Sequence, residues 1–291
     1  MFADDTTALS HGISHTEVSR GIQENLNMID IYTARNHLVP HPKKTKSILF
    51  SKPSQYSQPE ARINLNLADK NIEYVSFYKC LGFTLDEHLH YNEHVKDMCK
   101  KVNYGLQIMR RVKDFLPQES LILLANSLVL SHLDYCSPLL HNLNSGQLDT
   151  LLKLQKHCAR LIFSCNRLTR SKPLFIKLNW LPLHQRIEHN TCILMFKINN
   201  NMAPPYLTEM FRKILDVHRY STRSSTLGLY TNRGAGNYYT KTFRYFGTRL
   251  WNSLPAYLKT CRTLENFRKQ CAFYFMNKVK SDDFISYGWT K

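Results

Sequence analysis

The sequence has no long apolar run, no Cys-x-x-Cys pair, no internal repeat and no low-complexity tract. Each absence removes a class. The most hydrophobic window, Leu121 to Leu133, is broken by Asn126, Ser127, Ser131 and His132, then followed by Asp134 and Pro138. It is too short and too polar to span a bilayer. Met1-Phe2-Ala3-Asp4-Asp5 is acidic where a secretory leader is basic, and no apolar h-region follows. The expectation is a soluble protein of the cell interior, in nucleus or cytoplasm, neither secreted nor membrane-bound. The eight cysteines, at 80, 99, 136, 158, 165, 192, 261 and 271, have the spacing of neither a zinc ribbon nor a redox motif. The nearest metal-like grouping is His184, His189 and Cys192 with Cys158 and Cys165 upstream. In a chain of thirteen histidines such groupings arise by coincidence, so reduced thiols are the preferred reading. Gly234-Ala235-Gly236 is too short for a phosphate loop.

Acidic residues are also scarce: 22 Asp+Glu stand against 39 Lys+Arg, a formal net charge of +17. With 291 residues and 43% hydrophobic content the chain can bury real cores, as two compact domains or one with an appendage. A disordered tail, a collagen-like fibre and a small disulfide scaffold are excluded. Polyanions lead the partner classes, because neutralising phosphates with counterion release rewards such a surface. The charge is unevenly placed. Residues 1–91 carry a net −1, residues 92–172 a net +6 and residues 173–291 a net +12.

The first thirteen residues read as strand, turn and strand around Asp4-Asp5. Ser14-His15-Thr16-Glu17 has the form of a capping box, and Val18, Ile22, Leu26 and Ile29 mark one face of the helix it starts. Lys43-Lys44-Thr45-Lys46 leads into a short strand, Ser47 to Phe50, and residues 51–61 read as a loop. Ile63, Leu65 and Leu67 alternate with polar residues, and Asp69-Lys70-Asn71 turns the chain into Ile72 to Val75, a hairpin. Phe77 to Leu85 is a further extended run. From residue 92 the period becomes helical. Val95, Met98, Val102, Gly105, Met109, Val112 and Leu116 form one face, with Lys96, Lys100, Arg110, Arg111 and Lys113 on the other. A second helix runs from Leu121 to about Asp134. A third, Leu148 to Phe163, sets Lys153, Lys156, His157 and Arg160 opposite its apolar residues. One basic face is usually only solvated; two on neighbouring helices of a basic chain point to a nucleic-acid backbone. Beyond Pro173, cations at 233, 241, 244 and 249 alternate with Tyr238, Tyr239, Phe243, Tyr245 and Phe246. That mixture suits base stacking flanked by phosphate contacts, or equally a small aromatic core with cations outside.

Adjacent carboxylates in a tight turn repel each other, and a divalent metal removes the penalty. Phe2-Ala3-Asp4-Asp5 resembles the catalytic hairpin of reverse transcriptases. Downstream, Lys43-Lys44-Thr45-Lys46 is similar to that family's lysine motif, and Tyr78-Lys79-Cys80-Leu81-Gly82-Phe83 to its primer-grip turn. Leu178-Asn179-Trp180-Leu181-Pro182-Leu183, Ala203-Pro204-Pro205-Tyr206-Leu207 and Leu250-Trp251-Asn252-Ser253-Leu254-Pro255 resemble the C-terminal region of non-LTR, LINE-type and jockey-like, retrotransposon polyproteins. The resemblance covers nearly the whole chain.

It implies an α+β, mostly helical protein: a partial palm over 1–91, a basic helical thumb over 92–172 and a basic, aromatic-rich region over 173–291. It makes Asp4 a ligand of Mg2+ (or Mn2+) in two-metal phosphoryl transfer and Asp5 its less essential neighbour. Lys44, or Lys43, would protonate the leaving pyrophosphate, and Leu81 and Gly82 would shape the turn under the primer end. The partners implied are an RNA template and a DNA primer, with Lys96, Lys100, Arg110, Arg111, Lys153, Lys156 and Arg160 on the duplex backbone. In the family the fingers, the nucleotide-binding segment and another metal-binding Asp lie upstream of the hairpin, and Asp30, Asp69, Asp86 and Asp97 are not set to replace that Asp. The expectation is therefore a fragment of an RNA-directed DNA polymerase that needs a missing N-terminal half for activity. The alternative is a non-catalytic RNA- or DNA-binding protein derived from a retrotransposon.

Overall fold

A computed structural model describes residues 6–41, 43–51, 64–68, 70–217, 227–231 and 239–281. Those residues are mostly helical with three two-stranded sheets, an α+β composition. The chain divides into two compact units, Met1–His94 and Val95–Lys291. Among the described residues no helix is long and apolar enough to cross a membrane.

In the first unit, α1 spans His15–Arg35 and starts as its sequence directs: the Ser14 hydroxyl accepts from the Glu17 amide at 3.2 Å. The Glu17 carboxylate reaches one residue further back than the usual capping box and accepts from Ile13 N–H at 3.0 Å. The apolar face is the expected one. Leu26 is buried with Leu49, Leu65, Leu67 and Ile72, and Val18, Ile22, Ile29 and Tyr74 pack around them. Residues 6–13, expected in a hairpin, form no strand. Gly21 lets the segment lie on α1, since a Cβ there would come within 2.5 Å of Ser10 Oγ, and Asn25 donates to Leu9 O at 3.3 Å. Asp4 and Asp5, at the turn of that hairpin, lie outside the described residues.

The strands are shorter than their apolar runs. β1 is Lys46–Ser47, paired parallel with β4, Glu73–Tyr74, and an ion pair joins Lys46 to Glu73 across the pair. Between them in sequence, β2 (Asn66–Leu67) and β3 (Lys70–Asn71) form a hairpin near the expected one, but its turn comes earlier, with Ala68 at positive φ. Lys70 and Asn71, expected in the turn, therefore form the second strand, while Glu73–Tyr74 pairs with β1 instead. Gln23 of α1 docks on β2, donating to Asn66 O at 2.9 Å and accepting from Asn66 N–H at 3.0 Å. The extended run from Phe77 is itself a hairpin: β5 (Phe77–Cys80) and β6 (Phe83–Asp86) are joined by Leu81-Gly82. The Asp86 carboxylate then accepts from His88, His90 and Tyr91 N–H and shapes the entry to the next helix.

That helix, α2, runs Asn92–Val112 and buries Val95, Met98, Val102, Leu106 and Met109. Gly105 is needed for close approach: a Cβ there would lie 2.6 Å from Leu128 O. The expected second helix is a continuous run with a wide turn inserted, α3 (Gln118–Ala125), a π-helical turn (Asn126–Leu130) and α4 (Ser131–Asp134). Ser127 and Ser131 hydroxyls donate to carbonyls one turn back, at Leu123 and Ser127, where the widened turn relaxes the ladder. A capping box of Asn144 and Gln147 opens α5, Ser145–Ile162.

The tail motifs are structural punctuation. Asn179 adopts a left-handed conformation (φ 52°) to end α6 (Ser171–Leu178), Trp180 is buried, and Pro182 precedes α7 (Leu183–Asn199). Pro204 likewise precedes α8 (Pro205–Thr208), and α9 is Ile214–Val217. α10 (Phe243–Ser253), α11 (Ala256–Lys259, led by Pro255) and α12 (Leu264–Ser281) follow. Met195, Phe196, Trp251, Phe267, Cys271 and Phe275 are at the centre of this core. Trp251 donates to Leu227 O at 3.0 Å, while Asn252 brackets Leu229, accepting from its N–H at 2.9 Å and donating to its C=O at 2.8 Å.

Candidate nucleic-acid interface

The basic faces of α2 and α5 meet. Arg110, in the last turn of α2, donates through its guanidinium to Nε2 of His157 on α5 at 2.7 Å. One turn along α5, Arg160 donates its Nε to Thr169 O at 2.9 Å, leaving its two terminal nitrogens for other acceptors. Arg167 follows in the turn after the helix. Burial, then the charges of Arg110, Arg160 and Arg167, holds the His157 imidazole below its usual range. Lys156 is lowered by burial and by Arg160 and Lys153, with Asp149 opposing. Acids elsewhere in the unit are engaged: Asp97 pairs with Lys100 at 3.6 Å, Asp114 with Lys113 at 3.8 Å, and Asp134 with Arg186. Among the described residues no carboxylate pairs with Arg110, Arg160 or Arg167. Like charges gathered without a counter-charge raise the local potential, and a polyanion relieves it.

Of the residues expected on the duplex, Arg110, Lys153, Lys156 and Arg160 therefore belong to one face. Arg111 is exposed beside Arg110. Lys96 and Lys100 lie ten or more residues nearer the start of α2, on the order of 15 Å along the helix, and are not drawn into the cluster. In the first unit, Lys43 and Lys44 are exposed in a turn whose Lys44 N–H donates to His41 O at 3.0 Å. Leu81 and Gly82 form the tip of the β5–β6 hairpin, with φ of 46° and 86°, and Leu81 is half exposed. Positive φ at both central residues is the tight-hairpin geometry that favours Asn-Gly, and a leucine holds it under strain. The aromatic stretch mostly faces inward. Phe243 packs on the core, Trp251 is buried, Phe246 stacks on His141 at 4.6 Å, and Tyr239 meets Tyr245 edge-on at 5.6 Å. Arg233 and Tyr238 lie outside the described residues.

Cys158, Cys192 and Cys271 are buried thiols, burial pushing Cys158 up to about 12, and all eight cysteines are free. Among the described residues no group of three or more His, Cys, Asp or Glu is set to hold a metal ion.

Over 112 residues, 38% of its length, the chain is 30% identical to a retrovirus-related Pol polyprotein from the type-1 retrotransposable element R1 2 of Nasonia vitripennis. Over that stretch the chain is similar to a retrotransposon polyprotein. The matched stretch spans 27% of that relative. No protein-family model and no solved structure matches the chain.

Sequence reasoning did not single out Arg167, which follows the last helical turn and carries no periodic signal. Nor did it show that Arg110, rather than Lys96 or Lys100, would face α5. The one available signal was position, because only the last turn of α2 carries two adjacent arginines.

Proposed function

We propose that the chain supplies palm, thumb and C-terminal elements of a retrotransposon RNA-directed DNA polymerase and holds nucleic acid on the α2–α5 face. The observation that carries the nucleic-acid reading is the contact of Arg110 with His157, which joins two basic helix faces into one cationic surface. Similarity to a Pol polyprotein and the ordered motifs support the polymerase reading. In this reading the cations bind phosphates and position an RNA–DNA duplex without reading its sequence.

Asp4 and Asp5 would hold Mg2+, the metal that stabilises charge on the attacking and leaving oxygens of phosphoryl transfer. Adjacent carboxylates are hard oxygen donors of the kind Mg2+ takes, and both lie outside the described residues, among which no group of three or more His, Cys, Asp or Glu is set to hold a metal ion. By the resemblance, the site also takes another metal-binding Asp, a role for which Asp30, Asp69, Asp86 and Asp97 are not set, so residues 1–291 by themselves are expected to bind nucleic acid without polymerising.

The test is duplex binding by fluorescence anisotropy over a salt series. A linear fall of log affinity with log salt, of slope about −0.9 per phosphate neutralised, is expected. Weak, salt-independent binding would remove the proposal. Primer extension with Mg2+ is expected to be absent; extension lost in Asp4→Asn would show that this chain completes its own site.

A further inference from the structure

We propose that Arg110, His157, Arg160 and Arg167 form a discrete site for one phosphate group, in which His157 is a ligand that binds a proton together with the phosphate. The inference rests on reading the α2–α5 face as a polyanion surface, and adds to it one atom-level site and its regulation.

The hydrogen bond fixes the starting state. A guanidinium only donates, so His157 Nε2 accepts from Arg110 at 2.7 Å and the ring proton sits on Nδ1. The charged groups that reach the ring come from three places: Arg110 at the end of α2, Arg160 on α5 and Arg167 in the following turn. All three are cationic. Together with burial they favour the neutral ring, so the free protein holds His157 as an acceptor that restrains Arg110.

A phosphate reverses each of these terms. Its oxygens accept from Arg110, Arg167 and the terminal nitrogens of Arg160, which cancels the repulsion that kept the ring neutral. A proton on Nε2 then finds an acceptor in a phosphate oxygen instead of facing the Arg110 N–H. His157 changes from acceptor to donor, and Arg110 is released from the ring to the anion. The balance is simple: one phosphate and one proton bind, and no covalent bond changes. By linkage, protonation tightens phosphate binding by the same factor by which phosphate favours protonation, roughly tenfold for each pK unit gained. A purely arginine-lined site would be flat across this range, because arginine does not titrate there.

Two readouts on the full chain test this. The His157 ring, followed by NMR, is expected to titrate below the ordinary histidine range in the free protein and to move upward when inorganic phosphate or a short RNA–DNA duplex is added. A larger shift with duplex than with phosphate identifies the ligand as a nucleic-acid backbone; equal shifts identify a free-phosphate site; no shift with either overturns the proposal. In the second readout, duplex affinity measured from about pH 7.5 to about pH 5.5 is expected to rise in the natural protein by roughly tenfold. The rise should vanish both in His157→Gln and in His157→Arg, the latter with its charge already in place. A rise that survives in either variant overturns the proposal. Affinity that is flat with pH, yet salt-dependent and weakened in Arg110→Gln/Arg160→Gln/Arg167→Gln, overturns the site while leaving the polyanion face standing. Affinity unchanged in that triple variant removes both.

Discussion

The α2–α5 face and the α10 region both carry several cations, but they differ in what the cations surround. On the first, Arg110 donates to the His157 imidazole, burial and the charges of Arg110, Arg160 and Arg167 hold that ring below its usual range, and among the described residues no carboxylate pairs with these arginines. On the second, the rings between the cations pack inward or against each other: Trp251 and Phe243 in the core, Phe246 on His141. Gly247 lets α10 approach α7 so closely that a Cβ would sit 2.7 Å from Met195 Sδ. Alternation of aromatics with arginines is therefore compatible with a core helix whose polar side carries the charge. Convergence of charge from two helices and a turn is costly unless something anionic arrives, which makes it the better sign of a binding surface.

The contrast breaks most directly at Trp251. Trp251→Ala should destabilise the second unit by about 3–5 kcal/mol, measured by chemical denaturation, because it removes a buried ring and its bond to Leu227 O. A change of only a few tenths of a kcal/mol would mean that the ring is available to stack on bases. Next in size, replacing Arg110, Arg160 and Arg167 with Gln should lower the salt slope of duplex binding by about one for each charge removed. Its melting temperature should hold or rise, since mutual repulsion has been relieved.

Acid should act on both regions. Burial lowers His157, His184, His189 and, against two carbonyl contacts, His141, so the unfolded chain binds their protons more readily. Stability is then complete above the ordinary histidine range and falls as pH drops through it. Glu188, which burial raises, opposes this by losing stability as pH rises. The net expectation is a lower melting temperature at acid pH, with added duplex offsetting the loss at His157 and not at His141. The smallest effect is a control. Arg244→Gln/Arg249→Gln, on α10, should change duplex affinity by roughly threefold at most. A loss as large as that of the α2–α5 variant would put the nucleic acid across both regions.

Local periodicity made the helices legible. The Val18–Ile29 face of α1 and the Val95–Met109 face of α2 follow from spacing and, for α1, a capping residue near in sequence, whereas α5 starts three residues before the expected Leu148, at the Asn144–Gln147 capping box. What escaped depends on distant contacts. The parallel pairing of β1 with β4 joins residues 27 positions apart and has no turn signature between them. The wide turn in the α3–α4 run leaves the apolar pattern intact while altering the hydrogen bonding. Leu81 occupies a backbone region that favours glycine or asparagine, so periodicity read Phe77 to Leu85 as one extended run and only the resemblance placed a turn at Leu81-Gly82. At the candidate site, the basic faces were visible as stripes. Their meeting was not, because it needs the angle between two helices and the path of the turn that carries Arg167.

Gln23 has a consequence for self-association. Just before β2 the Leu65 carbonyl accepts from Ile72 N–H, just after β3, while both backbone groups of Asn66 point the other way, into the carboxamide of Gln23. A side chain thus occupies the place where another extended peptide would add. An uncapped edge is a template for a second chain. Gln23 keeps the small hairpin from serving as one, so the helix that covers its core also guards it against aggregation.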